Sequence, residues 1–189
     1  MHHSFYAMLG RMKYIVRWGL MRSAAPENLS EHTLEVAYLT HALIALGVSR
    51  LGRTLDPGQG VLYALYHDCS EILTGDLPTP VKYGNPNLKD AYREVERQAA
   101  ARLLDKLPRD LAPAYAPWFE IPPEYAPYVK AADKLSALIK CLEEKKLGNS
   151  EFDTAAHSTL EAIHALELEE AEQFLREFLP AYSLTLDQL

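Results

Sequence analysis

The chain has 189 residues, 48% of them hydrophobic and 24% charged, an ordinary balance for one globular domain over residues 1–189. Its net charge of −7 argues against a nucleic-acid polymer as the main partner, because phosphate backbones are bound by basic surfaces. Two cysteines, Cys69 and Cys141, are too few for a disulfide framework, and neither a signal peptide nor a membrane-spanning run is predicted, so we expect a cytoplasmic protein without a membrane partner.

Two helices are predicted in the first quarter of the chain. Apolar residues at helical spacing predict a first helix over residues 4–16, which Arg17-Trp18 ends. Gly19, Pro26 and other turn-forming residues then indicate a surface loop over residues 19–29. Ser30 is a suitable N-cap for a second helix that extends to about Leu46, and His32 lies in its first turn.

A third helix is predicted to carry an adjacent histidine and aspartate. Asp56-Pro57 marks its start, as an N-cap followed by proline at the first helical position, and Gly75 marks its end. His67 and Glu71 are one helical turn apart, so Glu71 shares a face with His67 and can approach whatever that histidine binds. The prolines of residues 76–80 indicate a rigid loop beside it.

The second half of the chain is also predicted to be helical. Periodic apolar residues predict helices over residues 88–107, 124–147 and 151–178, and prolines divide residues 108–127 into short pieces. Asp133 lies among small and apolar residues of the 124–147 helix. Strand-like alternation is lacking, so the pattern predicts an all-α fold.

The pair His67-Asp68 indicates a metal site. Such groups are costly to bury beside apolar residues unless a cation or another partner compensates them. His32 and Asp133 are candidate partners from distant segments, and two imidazoles with two carboxylates suit Co, Mn, Zn, Fe or Mg. The alternative is a set of buried polar pairs in a helical bundle, and Asp133 on its own could equally cap a helix or pair with a neighbouring lysine.

Four further residues have both a structural and a functional interpretation. Arg17 suits the C-terminal end of a helix and Trp18 a core position, but a guanidinium also binds phosphate and an indole face walls a nucleoside. Glu71 could be an ordinary helical residue and Asp76 an ordinary turn residue. Beside a metal site, catalytic and substrate-binding roles are the favoured interpretation of all four.

The pattern of His32, His67-Asp68 and Asp133 resembles the HD-domain phosphohydrolases, which carry H…HD…D on successive helices. The chain is similar in more detail to the bacterial 5′-deoxynucleotidases. The segments that carry this closer resemblance are RWGLMR (17–22), ENLSEH (27–32), YHDCSEILTGDLPTPVKY (66–83) and KAAD (130–133).

The resemblance implies an HD-domain helical bundle that binds a divalent metal through the H…HD…D residues, and it decides in favour of Asp133 as the last ligand. It implies that Arg17 orients the phosphate of a deoxyribonucleoside 5′-monophosphate and that Trp18 meets the substrate. Glu71 and Asp76 are then the expected catalytic carboxylates, and Asp76, Leu77, Pro78 and Thr79 the expected lining of the sugar or base pocket. The products would be a deoxyribonucleoside and phosphate, and the resemblance suggests a homodimer.

The sequence is also compatible with two other functions. An HD phosphohydrolase could act on another nucleotide, cyclic or signalling, with the same metal and a reshaped pocket. A non-catalytic nucleotide-binding module could keep the fold and a structural metal.

Overall fold

A computed structural model describes residues 2–78 and 86–189, apart from the side chains of Pro86, Asn87 and Lys89. The described chain is mostly helical, and its β-type pairing is one isolated bridge between Val16 and Asn28. Its α-helices are α1 Phe5–Leu9, α2 Leu29–Leu51, α3 Pro57–Tyr66, α4 Glu71–Thr74, α5 Pro86–Leu104, α6 Ala112–Tyr115, α7 Ala126–Lys146, α8 Asp153–His164 and α9 Glu169–Glu177. Short 3-10 helices span Met12–Tyr14, Ala116–Phe119, Ser150–Phe152, Leu179–Ser183 and Leu186–Gln188.

Helix α2 begins at a reciprocal cap. The Asn28 side chain accepts hydrogen bonds from the N–H groups of Ser30 and Glu31, and the Glu31 carboxylate accepts one from the Asn28 N–H. The prediction of Ser30 as the cap was therefore wrong by two residues, because the amide of Asn28 reaches those donors first. His32 nevertheless lies in the first turn, as expected.

Helix α2 is the centre of the main core and packs against α3 and α7. A Cβ built on Gly60 of α3 would lie 2.2 Å from Cδ1 of Ile44, so glycine lets the two helices approach closely. Because the chain reverses between α2 and α3, this contact brings the end of α3 back to the start of α2. The His67 and His32 rings are therefore 5.6 Å apart.

Helix α2 continues beyond its predicted end near Leu46, to Leu51, where Gly52 adopts φ 68°. Gly47 does not end the helix, because its role is close packing: a Cβ there would lie 2.6 Å from Oε1 of Glu170. By length and composition alone this helix could also cross a membrane, with 44% of the tested window buried. Length and composition are weak evidence for a membrane span, because a helix in a protein core meets the same criteria. Helix α2 packs between two other helices, as a core helix does.

Three other predicted helices are interrupted. The 4–16 segment forms α1 and a 3-10 turn, and the helix predicted to carry His67 and Asp68 ends at Tyr66, before both of them. The predicted 151–178 helix is divided into a 3-10 turn, α8 and α9, with Glu167 at φ 50° in between. This bend allows Ile163 of α8 and Phe174 of α9 both to be buried in the same core.

Candidate metal centre and substrate pocket

His32 is fully buried and held by a short chain of hydrogen bonds. Its Nδ1 lies 2.9 Å from Oγ of Ser136, whose hydroxyl donates to the Glu35 carboxylate at 2.6 Å. Because the Ser136 proton is directed to Glu35, the hydroxyl accepts from Nδ1–H of His32. The lone pair of the neutral imidazole is then on Nε2, the atom that faces the other candidate ligands.

His67 and Asp68 lie in the turn that joins α3 to α4. Nδ1 of His67 donates to the Ala64 carbonyl at 2.7 Å, which again leaves the lone pair of the neutral ring on Nε2. Metal-ligating histidines generally donate their other ring N–H to a carbonyl or carboxylate in this way. Both histidines are therefore oriented as ligands.

The ligand atoms of the four candidates converge. Nε2 of His32 lies 3.5 Å from Oδ2 of Asp68 and 3.3 Å from Oδ1 of Asp133, and Nε2 of His67 lies 3.0 Å from Oδ2 of Asp68. His32, His67 and Asp68 offer atoms that are all within 4.8 Å of one another, and Asp133 joins them through His32. Three separated segments thus meet at one point.

The convergent atoms fit a divalent cation. Bonds of about 2.0–2.2 Å to one ion place neighbouring N and O ligands roughly 3 Å apart, as these atoms are. Both Nε2 atoms are buried, and none of the described residues gives them a hydrogen bond of acceptable geometry, although carboxylate oxygens lie near them. Two buried lone pairs directed at one point, with two carboxylates beside them, match the requirements of a metal site.

The electrostatics of the group favour ionised carboxylates. Burial alone would raise the pKa of Asp68, but His67 and His32 outweigh it and hold this pKa well below its usual range. The pKa of Asp133 is likewise lowered, because the close approach and charge of His32, whose Nε2 lies 3.3 Å from Oδ1, outweigh the effect of burial. The same contacts act on His67 in the opposite direction. Burial alone would lower the pKa of His67, but Asp68 and Asp133 raise this pKa to about 9. Without an ion, the imidazoles thus act as the compensating cations of the two carboxylates.

A cavity of about 610 Å³ opens beside these ligands. Asp68 and Asp133 form part of its wall, together with the sequence-predicted residues Arg17, Trp18, Glu71, Asp76, Leu77 and Pro78. Thr79, also predicted to bind substrate, lies outside the described residues. The structure thus brings to one cavity every predicted catalytic and substrate-binding residue that it describes.

Arg17 is positioned at the metal end of the cavity. Its Nη1 lies 3.9 Å from Oδ2 of Asp68, and its side chain is 11% exposed. Burial would lower the pKa of Arg17, but Glu27, Asp133, Asp68 and Asp76 together raise it, so the guanidinium is a permanent cation. A group of this kind can bind the oxygens of a phosphate ester.

Glu71 and Asp76 provide two more carboxylates. Glu71 is 4% exposed and begins helix α4, while Asp76 follows Gly75, the residue that ends α4 at φ 76°. Burial raises the pKa of Asp76, and this outweighs the opposing effects of Arg17 and of a hydrogen bond from the Trp18 backbone. Asp76 is thus a carboxylate that carries a proton more readily than an exposed aspartate does.

Several residues of the site were missed in the sequence. Glu27 contacts Arg17 and Trp18, Ser136 and Glu35 orient His32, and Lys134 lines the cavity with its Nζ 3.7 Å from Oδ2 of Asp133. Helix α8 forms a further wall, through Thr154, Ala155, Ser158, Thr159 and Ala162. Ser136 had a usable signal, since it follows Asp133 by about one helical turn, whereas the others depend on tertiary contacts.

Comparisons with known proteins agree with this site. A family model described as 5′-deoxynucleotidase YfbR-like matches residues 4–182. A 5′-deoxynucleotidase of Vibrio cholerae is 44% identical over 188 residues, which are 98% of this chain and 97% of that protein. A 5′-deoxynucleotidase of Erwinia tasmaniensis is 43% identical over 192 residues, covering 100% of this chain and 96% of that protein.

Solved structures share the fold. An HD-domain phosphohydrolase from Listeria innocua superposes with a TM-score of 0.84 at 24% identity, covering 95% of this chain and 88% of that one. A cyanophage S-2L HD phosphohydrolase, bound to dA and one catalytic Zn²⁺ ion, superposes with a TM-score of 0.67 at 23% identity, covering 92% and 95%. The predicted all-α HD fold is thereby confirmed. By sequence over nearly its whole length, the chain belongs to the YfbR-like 5′-deoxynucleotidase family.

Proposed function

We propose that this chain is a metal-dependent 5′-deoxynucleotidase, which hydrolyses deoxyribonucleoside 5′-monophosphates to a deoxyribonucleoside and phosphate. The observation that carries the proposal is the convergence of His32, His67, Asp68 and Asp133 at one end of a cavity that also contains the Arg17 guanidinium. Relatives with 43–44% identity bear the name of this activity. A nucleotide can be seated with its phosphate at that end and its nucleoside along the remaining walls.

The metal ligands in this proposal are His32 and His67 through Nε2, and Asp68 and Asp133 through carboxylate oxygens. A divalent ion held there would lower the pKa of a bound water and neutralise charge on the phosphate. Co, Mn, Zn, Fe and Mg all suit this donor set, and the cyanophage structure of the same fold contains zinc. A panel of metals restored to chelated protein would identify the ion used.

Arg17 is the residue that orients and neutralises the phosphate. Its guanidinium is buried beside Asp68, so it can meet the phosphoryl oxygens as charge develops on them. Because it is already fixed before substrate arrives, little reorganisation accompanies the reaction. Replacement by lysine would keep the charge and lose the planar geometry.

Glu71 and Asp76 divide the proton transfers. The attacking water must lose a proton as its oxygen bonds to phosphorus, and the 5′ oxygen must gain one as its bond to phosphorus breaks. We assign the leaving-group proton to Asp76, because burial raises its pKa within the cavity, and we assign orientation and deprotonation of the water to Glu71. Both residues are within the same cavity wall as Arg17.

Preference for 2′-deoxyribose would come from a tight wall formed by Trp18 with Leu77, Pro78 and Thr79. The indole of Trp18 lines the cavity and packs on the Phe152 ring at 5.2 Å, so it has little freedom to move away from a 2′-hydroxyl. Comparable turnover of AMP and dAMP would reject this part of the proposal. Low base selectivity is expected if the base is held mainly by stacking.

We place this activity in the cytoplasm, on a homodimer. Both cysteines are buried and unpaired, which suits a reducing compartment, and Leu186 and Leu189 near the C-terminus are 87% and 78% exposed, as a contact surface would require. Sedimentation at several protein concentrations, with Leu186→Asp as the variant, tests the dimer.

Phosphate release across ribo- and deoxyribonucleoside 5′-monophosphates tests the activity. The proposal expects release from the deoxy substrates and its loss in chelator or in Asp68→Ala. Turnover confined to a cyclic or signalling nucleotide would replace this substrate with another, and failure to hydrolyse any monophosphate with Mn, Co or Mg supplied would favour a binding module.

A further inference from the structure

Two short segments pair beside the cavity. The Leu29 N–H donates to the Ile15 carbonyl at 2.9 Å, and the Arg17 N–H donates to the Glu27 carbonyl at 3.0 Å. An isolated bridge joins Val16 and Asn28 between these two bonds. This pairing places the side chain of Glu27 next to the residues that we propose meet the substrate.

A single carboxylate oxygen of Glu27 holds two of those residues. Oε2 accepts a hydrogen bond from Nε of Arg17 at 3.1 Å and another from Nε1 of Trp18 at 2.8 Å. The side chains of Arg17 and Glu27 are 11% and 12% exposed, so neither contact is weakened by bulk water. Because Glu27 engages the Nε edge of the guanidinium, the terminal nitrogens remain for the cavity, where Nη1 approaches Asp68.

Trp18 needs such an anchor. Its φ of 61° is in the left-handed region, which a bulky side chain adopts only when its surroundings enforce it. The indole is held by the Glu27 hydrogen bond and by the Phe152 ring, whose centroid lies 5.2 Å away. Glu27 is thus part of what keeps the indole against the cavity.

We propose that Glu27 is a positioning residue that couples phosphate orientation to sugar discrimination, by holding Arg17 and Trp18 through the same oxygen. Glu27 does not itself line the cavity, so it acts through these two side chains. The inference rests on the proposed function for the roles of Arg17 and Trp18. Its particular consequence is that the loss of one carboxylate impairs both roles together.

The test uses Glu27→Ala and the milder Glu27→Gln, which keeps one acceptor oxygen. Since a displacement of about 1 Å can cost roughly 100-fold in rate, kcat/KM for dAMP should fall by about 100-fold in Glu27→Ala. The preference for dAMP over AMP should fall in the same variant by at least about tenfold, because one hydrogen bond of about 1.4 kcal/mol corresponds to that factor. Glu27→Gln should lie between the wild type and Glu27→Ala in both measures.

Two readouts separate positioning from general damage to the fold. With Trp118→Phe, Trp18 is the sole tryptophan, and its emission should shift when Glu27 is replaced. Calorimetric affinity for Mn²⁺ should stay within about threefold of the wild type, because Glu27 contacts none of the proposed ligands. The matched control is Glu177→Ala. This variant also removes a carboxylate that pairs with an arginine, since Oε1 of Glu177 lies 2.8 Å from Nη1 of Arg50, but the pair is away from the cavity.

Failure of the proposed function and failure of the Glu27 coupling give different results. If the wild type hydrolyses no deoxyribonucleotide, the proposed function fails, while the fluorescence measurement still tests whether Glu27 holds Trp18. If the wild type is active and Glu27→Ala loses rate with its dAMP preference intact, or leaves Trp18 emission unchanged, the coupling is overturned. Should Glu27→Ala fail to fold, the same comparison in Glu27→Gln decides the matter.

Discussion

Nε2 of His32 lies 3.3 Å from Oδ1 of Asp133, although the two residues are on helices α2 and α7, far apart in the chain. On the proposed metal site, Asp133→Ala should lower Mn²⁺ affinity by at least about 100-fold, because one charged ligand is lost. Calorimetry measures this directly. Asp90→Ala, which removes an exposed carboxylate on α5, is the matched control and should bind as the wild type does. Unchanged affinity in Asp133→Ala would remove Asp133 from the ligand set.

Ser136 should matter to the metal although it is not a ligand. It accepts from Nδ1 of His32 and donates to Glu35, so Ser136→Ala leaves the His32 ring without its orienting partner. Loss of such an outer contact typically costs about 10- to 100-fold in metal affinity, and we expect that range here. Ser49→Ala, at an exposed position of α2, should change nothing. Equal affinities in the two variants would contradict the orienting role.

Arg17→Lys tests whether the guanidinium shape is needed in addition to its charge. Lysine keeps a cation but loses the donor to Glu27 and the planar set of terminal donors. We expect kcat/KM for dAMP to fall by about 100-fold, the usual cost of one displaced catalytic donor. Arg93→Lys on the exposed face of α5 is the control. Wild-type kinetics in Arg17→Lys would mean that charge alone suffices.

Glu144 should support stability in a pH-dependent way. This fully buried carboxylate accepts hydrogen bonds from the N–H groups of Ala24 and Ala25, from Asn149, and from the Lys140 ammonium. Burial alone would raise its pKa, but these donors outweigh burial and lower it to about 2. Glu144→Gln should therefore lower the free energy of unfolding at neutral pH by about 3 kcal/mol, as for other broken buried ion pairs.

The sign of the pH dependence follows from that depressed pKa. The stabilisation is fully present above the ordinary glutamate pKa and is lost as the pH falls through the folded value of about 2. The stability difference between the wild type and Glu144→Gln should therefore narrow as the pH falls below about 4.5, as measured by urea unfolding. Glu120→Gln, at an exposed site, should show no such trend. A difference that is constant with pH would refute the assignment.

Much of the fold was predictable from local signals. Apolar periodicity found the long helices, and Asp56 before Pro57 marked the start of α3 correctly, with the Asp56 side chain accepting from the Gly58 N–H. Gly75 directly follows α4 and has a φ of 76°, a backbone conformation that glycine adopts readily. These predictions succeeded because each depends on a residue's own backbone preference.

What the sequence did not predict depends on tertiary contacts. The break between α8 and α9 has no glycine or proline to signal it, and Glu167 is held at φ 50° because both helices bury apolar residues on one core. The H…HD…D pattern gave the four proposed ligands, but nothing local shows that Glu27 bridges Arg17 and Trp18. Unlike Ser136, which follows Asp133 by about one helical turn, Glu27 is recognised only when the two segments that pair beside the cavity are brought together.

In the proposed function, one divalent ion, held by residues of three separated segments, is required for hydrolysis of a deoxyribonucleoside 5′-monophosphate. The most direct measurement is phosphate release from dAMP by the wild type, by chelated protein, and by chelated protein supplied again with Mn, Co, Zn or Mg. We expect phosphate release by the wild type, its loss on chelation, and its recovery with at least one metal, while Asp68→Ala stays inactive throughout. Undiminished release from dAMP by chelated protein or by Asp68→Ala would contradict the proposed function.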